Sequence, residues 1–329
     1  MTSKQNKEMV EFFAATMARA LSNSDLTIMR DILEGFHLAS CEPEDVTYAE
    51  VSVGAVRALW CIPDGCNNDR VLLYGHGGGT VFFSMHTDRK AAAHLAKATG
   101  VRALVVDYRL APEHKFPTQK DDIEQAYNWL LAQGFRSEHI AAVGQSVGGN
   151  LAVSVALALR NNGAALPAAI LAVSPWFDME LKNATIQTNA KTDRILSRPV
   201  LELFRDSWLG GTGIAWNDPR VNMLYADLKG LPPIRVYYGE DEVVVGEAIE
   251  FTKKAKDAGV DVSLDSMPEG QHNFIWAAGR VPEVDEAIQK MGQWLRLKLG
   301  LRCSFHVALT CFSSFLVLYA KSRTASGHL

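Results

Sequence analysis

The chain has 329 residues, enough for one large α/β domain or two smaller ones, and 48% hydrophobic with 21% charged residues is the composition of an ordinary globular protein rather than a disordered or collagen-like one. A formal net charge of -4 offers no basic surplus to neutralise a phosphate backbone, so nucleic acid is not an expected partner. Five cysteines (Cys41, Cys61, Cys66, Cys303 and Cys311) without a Cys-x-x-Cys pair suggest neither a disulfide framework nor a thiolate zinc site.

The N-terminus lacks an apolar stretch followed by a small-residue cleavage site, so a cytoplasmic protein is expected. Residues 10–36 read as one or two amphipathic helices, with Phe12, Phe13, Met17 and Leu21 on roughly one stripe. Short apolar runs then mark strands at Val51–Trp60, Val71–Tyr74, Val101–Val106, Ile140–Val143, Ala169–Val173, Ile234–Tyr238 and Val262–Met267. Between them lie helical periods, such as Ile123, Ala126, Tyr127, Leu130 and Leu131, and Ile288, Met291 and Leu295. Strands alternating with helices predict an α/β fold, a mainly parallel sheet with helices on both faces and its site beyond the carboxyl ends of the strands. Residues 183–213 have no strand character and read as a helical insertion. Cys303–Ala320 contains no Asp, Glu, Lys or Arg over 18 residues, which meets the lower limit for a membrane span. A membrane-associated protein anchored through 303–320 is therefore an alternative to a docked or unordered tail.

Gly144-Gln145-Ser146-Val147-Gly148 follows the strand Ile140–Val143 and precedes a helical run from Asn150 to Arg160. A serine on a tight strand-to-helix turn needs flanking glycines, because a Cβ would obstruct the close backbone approach. The helix N-terminus then faces the site and favours developing negative charge. His76-Gly77-Gly78-Gly79 follows the strand Val71–Tyr74, and successive glycines can turn backbone N–H groups toward one ligand oxygen. Neither a Gly-x-Gly-x-x-Gly spacing nor a following Lys-Ser/Thr is present, which disfavours nucleotide binding.

A nucleophilic serine needs a base, and the base an acid to orient it. His272, in a loop after the last strand and before the last helix, is the expected base; His76 is expected to hold its loop, and the other histidines to lie on surfaces or in helices. No metal-ligand spacing is found. Of the carboxylates in Gly239-Glu240-Asp241-Glu242, Asp241 is chosen as the acid, with Glu240 or Glu242 as the alternatives. Ser146, Asp241 and His272 follow the chain order of α/β-hydrolases.

These residues, together with Asp107-Tyr108-Arg109-Leu110-Ala111-Pro112-Glu113-His114, Phe116-Pro117, Ser174-Pro175-Trp176 and Leu231-Pro232-Pro233, resemble the hormone-sensitive-lipase-like esterases, the bacterial family IV or α/β-hydrolase fold-3 group. The likeness covers roughly residues 45–300. It implies Ser146 as nucleophile, His272 as base then acid, Asp241 as orienting carboxylate, and Gly77, Gly78 and the N–H of Val147 as the oxyanion hole. It also implies a cap built from residues 1–45 and an insertion at about 180–215, on a catalytic domain of residues 46–301 followed by an apolar extension of 302–329. Phe82, Trp176, Phe204 and Trp208 become candidates for lining the substrate pocket, with core packing as the competing job. The family usually carries an acid where Gln145 stands and alanine where Val147 stands.

The expected reaction is hydrolysis of small to medium acyl esters through an acyl-enzyme, with a small-molecule ester as partner and no cofactor or metal. A lactonase, amidase or formamidase on the same triad is an alternative. A non-catalytic small-molecule receptor is another, since plant gibberellin receptors look like this family but lack its histidine. A homodimer stays open.

Overall fold

The computed structural model describes residues 2–301. Eight strands form one sheet: β1 (Val46–Val53), β2 (Val56–Pro63), β3 (Asn67–Gly75), β4 (Val101–Asp107), β5 (Ile140–Gln145), β6 (Ala169–Val173), β7 (Ile234–Gly239) and β8 (Val262–Met267). Their spatial order is β1-β2-β4-β3-β5-β6-β7-β8. β2 runs antiparallel to β1 and β4, and every other pairing is parallel. The mainly parallel sheet is as expected, with one correction. The run expected as a single strand at Val51–Trp60 is a hairpin, because Gly54 (φ +62°) turns the chain so that Val53 pairs with Val56. The central strands β5 and β6 are buried along their whole length, which explains their unbroken apolar runs.

Helices cover both faces. α3 (Met85–Thr99) packs with α9 (Pro282–Lys298) on one, while α4 (Thr118–Ala132), α5 (Val147–Asn161) and α8 (Val245–Asp257) pack on strands from the other. A separate apolar cluster seals part of this second face, from Ala152, Val153 and Ala156 of α5 to Ala248 and Phe251 of α8. α5 begins at once after Ser146, not at Asn150 as the sequence suggests.

Two N-terminal helices, α1 (Lys4–Leu21) and α2 (Leu26–Glu34), and two helices after β6, α6 (Thr185–Thr188) and α7 (Arg198–Leu209), lie over the carboxyl end of the sheet. α2 starts where the Asp25 side chain accepts from the N–H groups of Thr27 and Ile28, satisfying donors left open at a helix start. Arg30 of α2 donates from Nε to the Val81 carbonyl at 2.9 Å and from a terminal nitrogen to the Ala111 carbonyl at 2.8 Å. Its fork also grips Glu113 at 2.8 Å, and this guanidinium holds the Glu113 carboxyl down at about 2.

An aromatic cluster does the apolar part of the same fastening. Phe36, just after α2, stacks on Phe13 of α1 at 5.3 Å and packs against Phe83 at 5.4 Å and Trp276 at 4.9 Å. Phe83 follows the glycine loop and Trp276 follows His272, so the N-terminal helices are anchored on the two loops that frame the site. Phe36 has no exposed surface. Truncating it to alanine removes a fully buried ring, and F36A is expected to lower stability by about 3–5 kcal/mol; urea unfolding of the variant against the parent checks this.

Candidate active site

Ser146 stands between β5 and α5 with φ 54° and ψ -124°, a backbone conformation that L-residues avoid. It is held there from three sides. Its N–H donates to the Val173 carbonyl at 2.9 Å, and its own carbonyl accepts from Gly149 at 3.0 Å and from Trp176 at 3.2 Å. The flanking glycines are demanded by contact: a Cβ on Gly144 would lie 2.1 Å from the Gly148 carbonyl oxygen, and one on Gly148 2.1 Å from that of Gly75. The turn is thus wedged between its own helix and β3.

His272 lies in the loop after β8 and is buried. Its Nδ1 sits 2.9 Å from Glu242 Oε2, which leaves Nε2 as the ring's basic nitrogen. The carboxylate beside the imidazole is therefore Glu242 and not Asp241. The reason is the tight turn after β7. The Glu242 N–H donates to the Gly239 carbonyl at 3.2 Å, folding the Glu242 side chain back over the strand end. Oε1 accepts from Ser174 Oγ at 2.6 Å and from the Gly239 N–H. Glu242 has no exposed surface, and each of its oxygens is bonded, as a buried carboxylate requires. Asp241 points away, with Gln271 Nε2 at 3.3 Å, and burial with the charges of Glu269 and Glu240 pushes its carboxyl up. Glu240 takes the Ser266 hydroxyl at the surface.

Ser174 fastens this arrangement from the end of β6. Its Oγ donates to Glu242 and accepts from the Asn273 N–H at 3.0 Å, so one hydroxyl ties Glu242 to the residue after His272. The sequence marked Ser174-Pro175-Trp176 without assigning it this job.

The glycine loop follows β3. His76 holds it, as expected: it stacks on Tyr108 at 3.9 Å, Nδ1 lies 2.9 Å from the Gly77 carbonyl, and burial lowers the imidazole to about 4, which keeps it neutral. Tyr108 Oη donates to the carbonyls of His76 and Gly77. Gly78 (φ +93°) lines the cavity in front of Ser146. Val147 opens α5, where backbone N–H groups have no partner within the helix. The backbone of Gly77 lies beside the carboxylate of Asp88 and lowers it, and that carboxylate receives Trp276 Nε1 at 2.7 Å and the Gln145 amide. Burial raises this carboxyl to about 7 against these groups. Gln145, where the resemblance leads one to expect an acid, thus supplies a permanent donor to Asp88.

Ser146 and His272 face one small cavity of about 20 Å³, lined by Gly78, Asn273 and apolar side chains. Phe82 and Phe204, two of the pocket candidates, are among them. Trp176 and Trp208 are not: Trp176 packs on the Phe204 ring at 6.1 Å, Trp208 lies 6.5 Å from Trp176, and Trp208 Nε1 bonds Gln119. Met17, Leu33, Phe83, Ile195, Leu196 and Trp276 complete the lining, and sequence reading missed them. They come from α1, α2, the glycine loop, the segment before α7 and the segment after His272, and only the stripe on α1 had marked Met17. Asp193 fixes the wall before α7 by accepting from Ile195 and Leu196 at 2.9 and 2.8 Å and from Val243, next to Glu242, at 2.9 Å.

Among the described residues no cluster of His, Cys, Asp and Glu could hold a metal, Cys41, Cys61 and Cys66 are free thiols, and no helix is long and apolar enough to cross a membrane. The expected apolar tail, 303–320, lies outside the described residues.

Residues 72–276 match the family described as alpha/beta hydrolase fold. An acetyl-hydrolase of Streptomyces hygroscopicus is 34% identical over 270 residues, covering 81% of this chain and 87% of that protein. An esterase of Acinetobacter venetianus is 32% identical, covering 68% and 74% respectively. Among solved structures, an esterase from the bacterial hormone-sensitive lipase family superposes with a TM-score of 0.85 at 35% identity, over 91% of this chain and 99% of that one.

The geometry separates the neighbouring carboxylates experimentally. E242Q is expected to lower kcat on an aryl ester by about a hundredfold or more, because the ring loses its orienting charge. D241N should stay within about threefold of the parent. Steady-state kinetics of both variants decide between them.

Proposed function

The chain belongs to the hormone-sensitive-lipase-like esterases of the α/β-hydrolase family and hydrolyses carboxylic esters, and on that footing we propose that Ser146, His272 and Glu242 carry the reaction. The observation that bears most weight is the run from Glu242 through the imidazole to the cavity that Ser146 shares.

Ser146 Oγ attacks the ester carbonyl while His272 Nε2 takes its proton. Glu242 orients the ring and stabilises the imidazolium, its other oxygen held by Ser174 Oγ and the Gly239 N–H. The N–H groups of Gly78 and Val147 receive the oxyanion, helped by the N-terminus of α5. His272 returns the proton to the leaving alcohol, and a water activated by the same nitrogen then releases the acid. The apolar wall strengthens each of these charge interactions by keeping the surroundings weakly polar.

The cavity's small volume supports esters of short acyl chains, in keeping with the acetyl-hydrolase among the relatives. Longer chains would have to displace Met17, Ile195 or Leu196 from the wall. The test is a panel of p-nitrophenyl esters of rising acyl length, with a lactone and an anilide alongside. Acetate to butyrate should give the highest kcat/KM, and S146A should lose activity by about 10^4-fold or more. Residual turnover within tenfold of the parent would reject Ser146 as the nucleophile.

A further inference from the structure

Asn273 follows the base directly, is 1% exposed, and lines the catalytic cavity. Its backbone is accounted for: φ is +56°, in the left-handed region that asparagine tolerates, and its N–H donates to Ser174. Its side chain is not. Neither Oδ1 nor Nδ2 has a hydrogen-bond partner, and of the residues lining this cavity it alone carries such buried, unpaired side-chain atoms among the described residues. A buried amide left unpaired forfeits its hydration without a bond in return, so an explanation is required.

Its placement supplies one. A point one Cβ bond from Gly77 lies 2.9 Å from Asn273 Nδ2 and 3.5 Å from Ser146 Cβ. The carboxamide therefore stands between the glycine loop and Ser146, on the wall of the cavity that Ser146 and His272 face. The other polar side chains facing this cavity, Ser146 and His272, already have parts in the reaction.

We propose that Asn273 is a catalytic residue whose carboxamide donates to the carbonyl oxygen of the bound ester, as a third oxyanion donor beside the N–H groups of Gly78 and Val147. The assignment rests on the esterase reading of Ser146 and adds a side chain to it. The amide is unpaired without substrate and becomes bonded as charge develops on the oxygen, so its contribution falls on the transition state.

Glycine accepts the same backbone conformation, which makes N273G the clean deletion, and N273D is its near-isosteric partner with charge opposed to the oxyanion. On p-nitrophenyl butyrate, N273G should lower kcat about 10- to 100-fold with KM within about threefold, and N273D should lower it further. Affinity for a trifluoromethyl ketone, which forms a tetrahedral adduct on the serine, should fall in parallel. An active parent whose N273G variant keeps kcat within twofold, or loses only KM, overturns the assignment alone. A parent inert to every ester overturns the esterase reading and this assignment with it. If N273G fails to fold, N273D decides: unchanged kcat overturns the proposal, and a loss at constant KM supports it.

Discussion

Everything at this site depends on a backbone that Ser146 would not adopt by itself. Positive φ in a non-glycine residue costs on the order of 1–3 kcal/mol and persists only when its surroundings over-determine it. Here they do so through main-chain contact. β3 and α5 approach until the Gly148 and Gly75 backbones touch, and the serine's own peptide groups are bonded to the end of β6 and the segment beyond it. The serine is presented above the carboxyl edge of the sheet because the space for any other turn is already filled.

The same edge gathers the remaining parts. β3 delivers the glycine loop, β6 Ser174, β7 Glu242 and β8 His272, each just beyond the carboxyl end of its strand. Loops alone would not hold such an assembly, and two buried carboxylates stiffen it. Glu242 draws Ser174, Gly239 and His272 together, while Asp88 draws Gln145 and Trp276 together. The first network orients the His272 ring. The second ties the strand that leads into Ser146 to the segment after His272. Glu242 receives three donors and Asp88 two, which is what makes their burial tolerable.

Above the edge, the contacts change from polar to apolar. Phe13 and Phe36 seat the N-terminal helices on Phe83 and Trp276, and Arg30 clamps α2 to the chain beyond the glycine loop. The helices that wall the cavity are thereby fastened to the very loops that frame Ser146 and carry His272. Closure and alignment of the site are consequences of one set of contacts.

Local patterning by itself determined the α/β class, most strands, the serine turn and His272, because each is written in a short window: an apolar run, a glycine spacing, a histidine between a strand and a helix. The hairpin at Gly54 escaped because one glycine in an apolar run reads equally as strand or turn. Three adjacent acids, Glu240, Asp241 and Glu242, are chemically equivalent on paper. Only the turn closed by the Gly239 carbonyl aims the third at His272 and the second outward. Likewise nothing near Trp176, Trp208 or Phe204 tells that the phenylalanine, and neither tryptophan, reaches the cavity. These choices belong to tertiary structure because they depend on partners dozens of residues away, whose distances are fixed only once the sheet and its covering helices have packed.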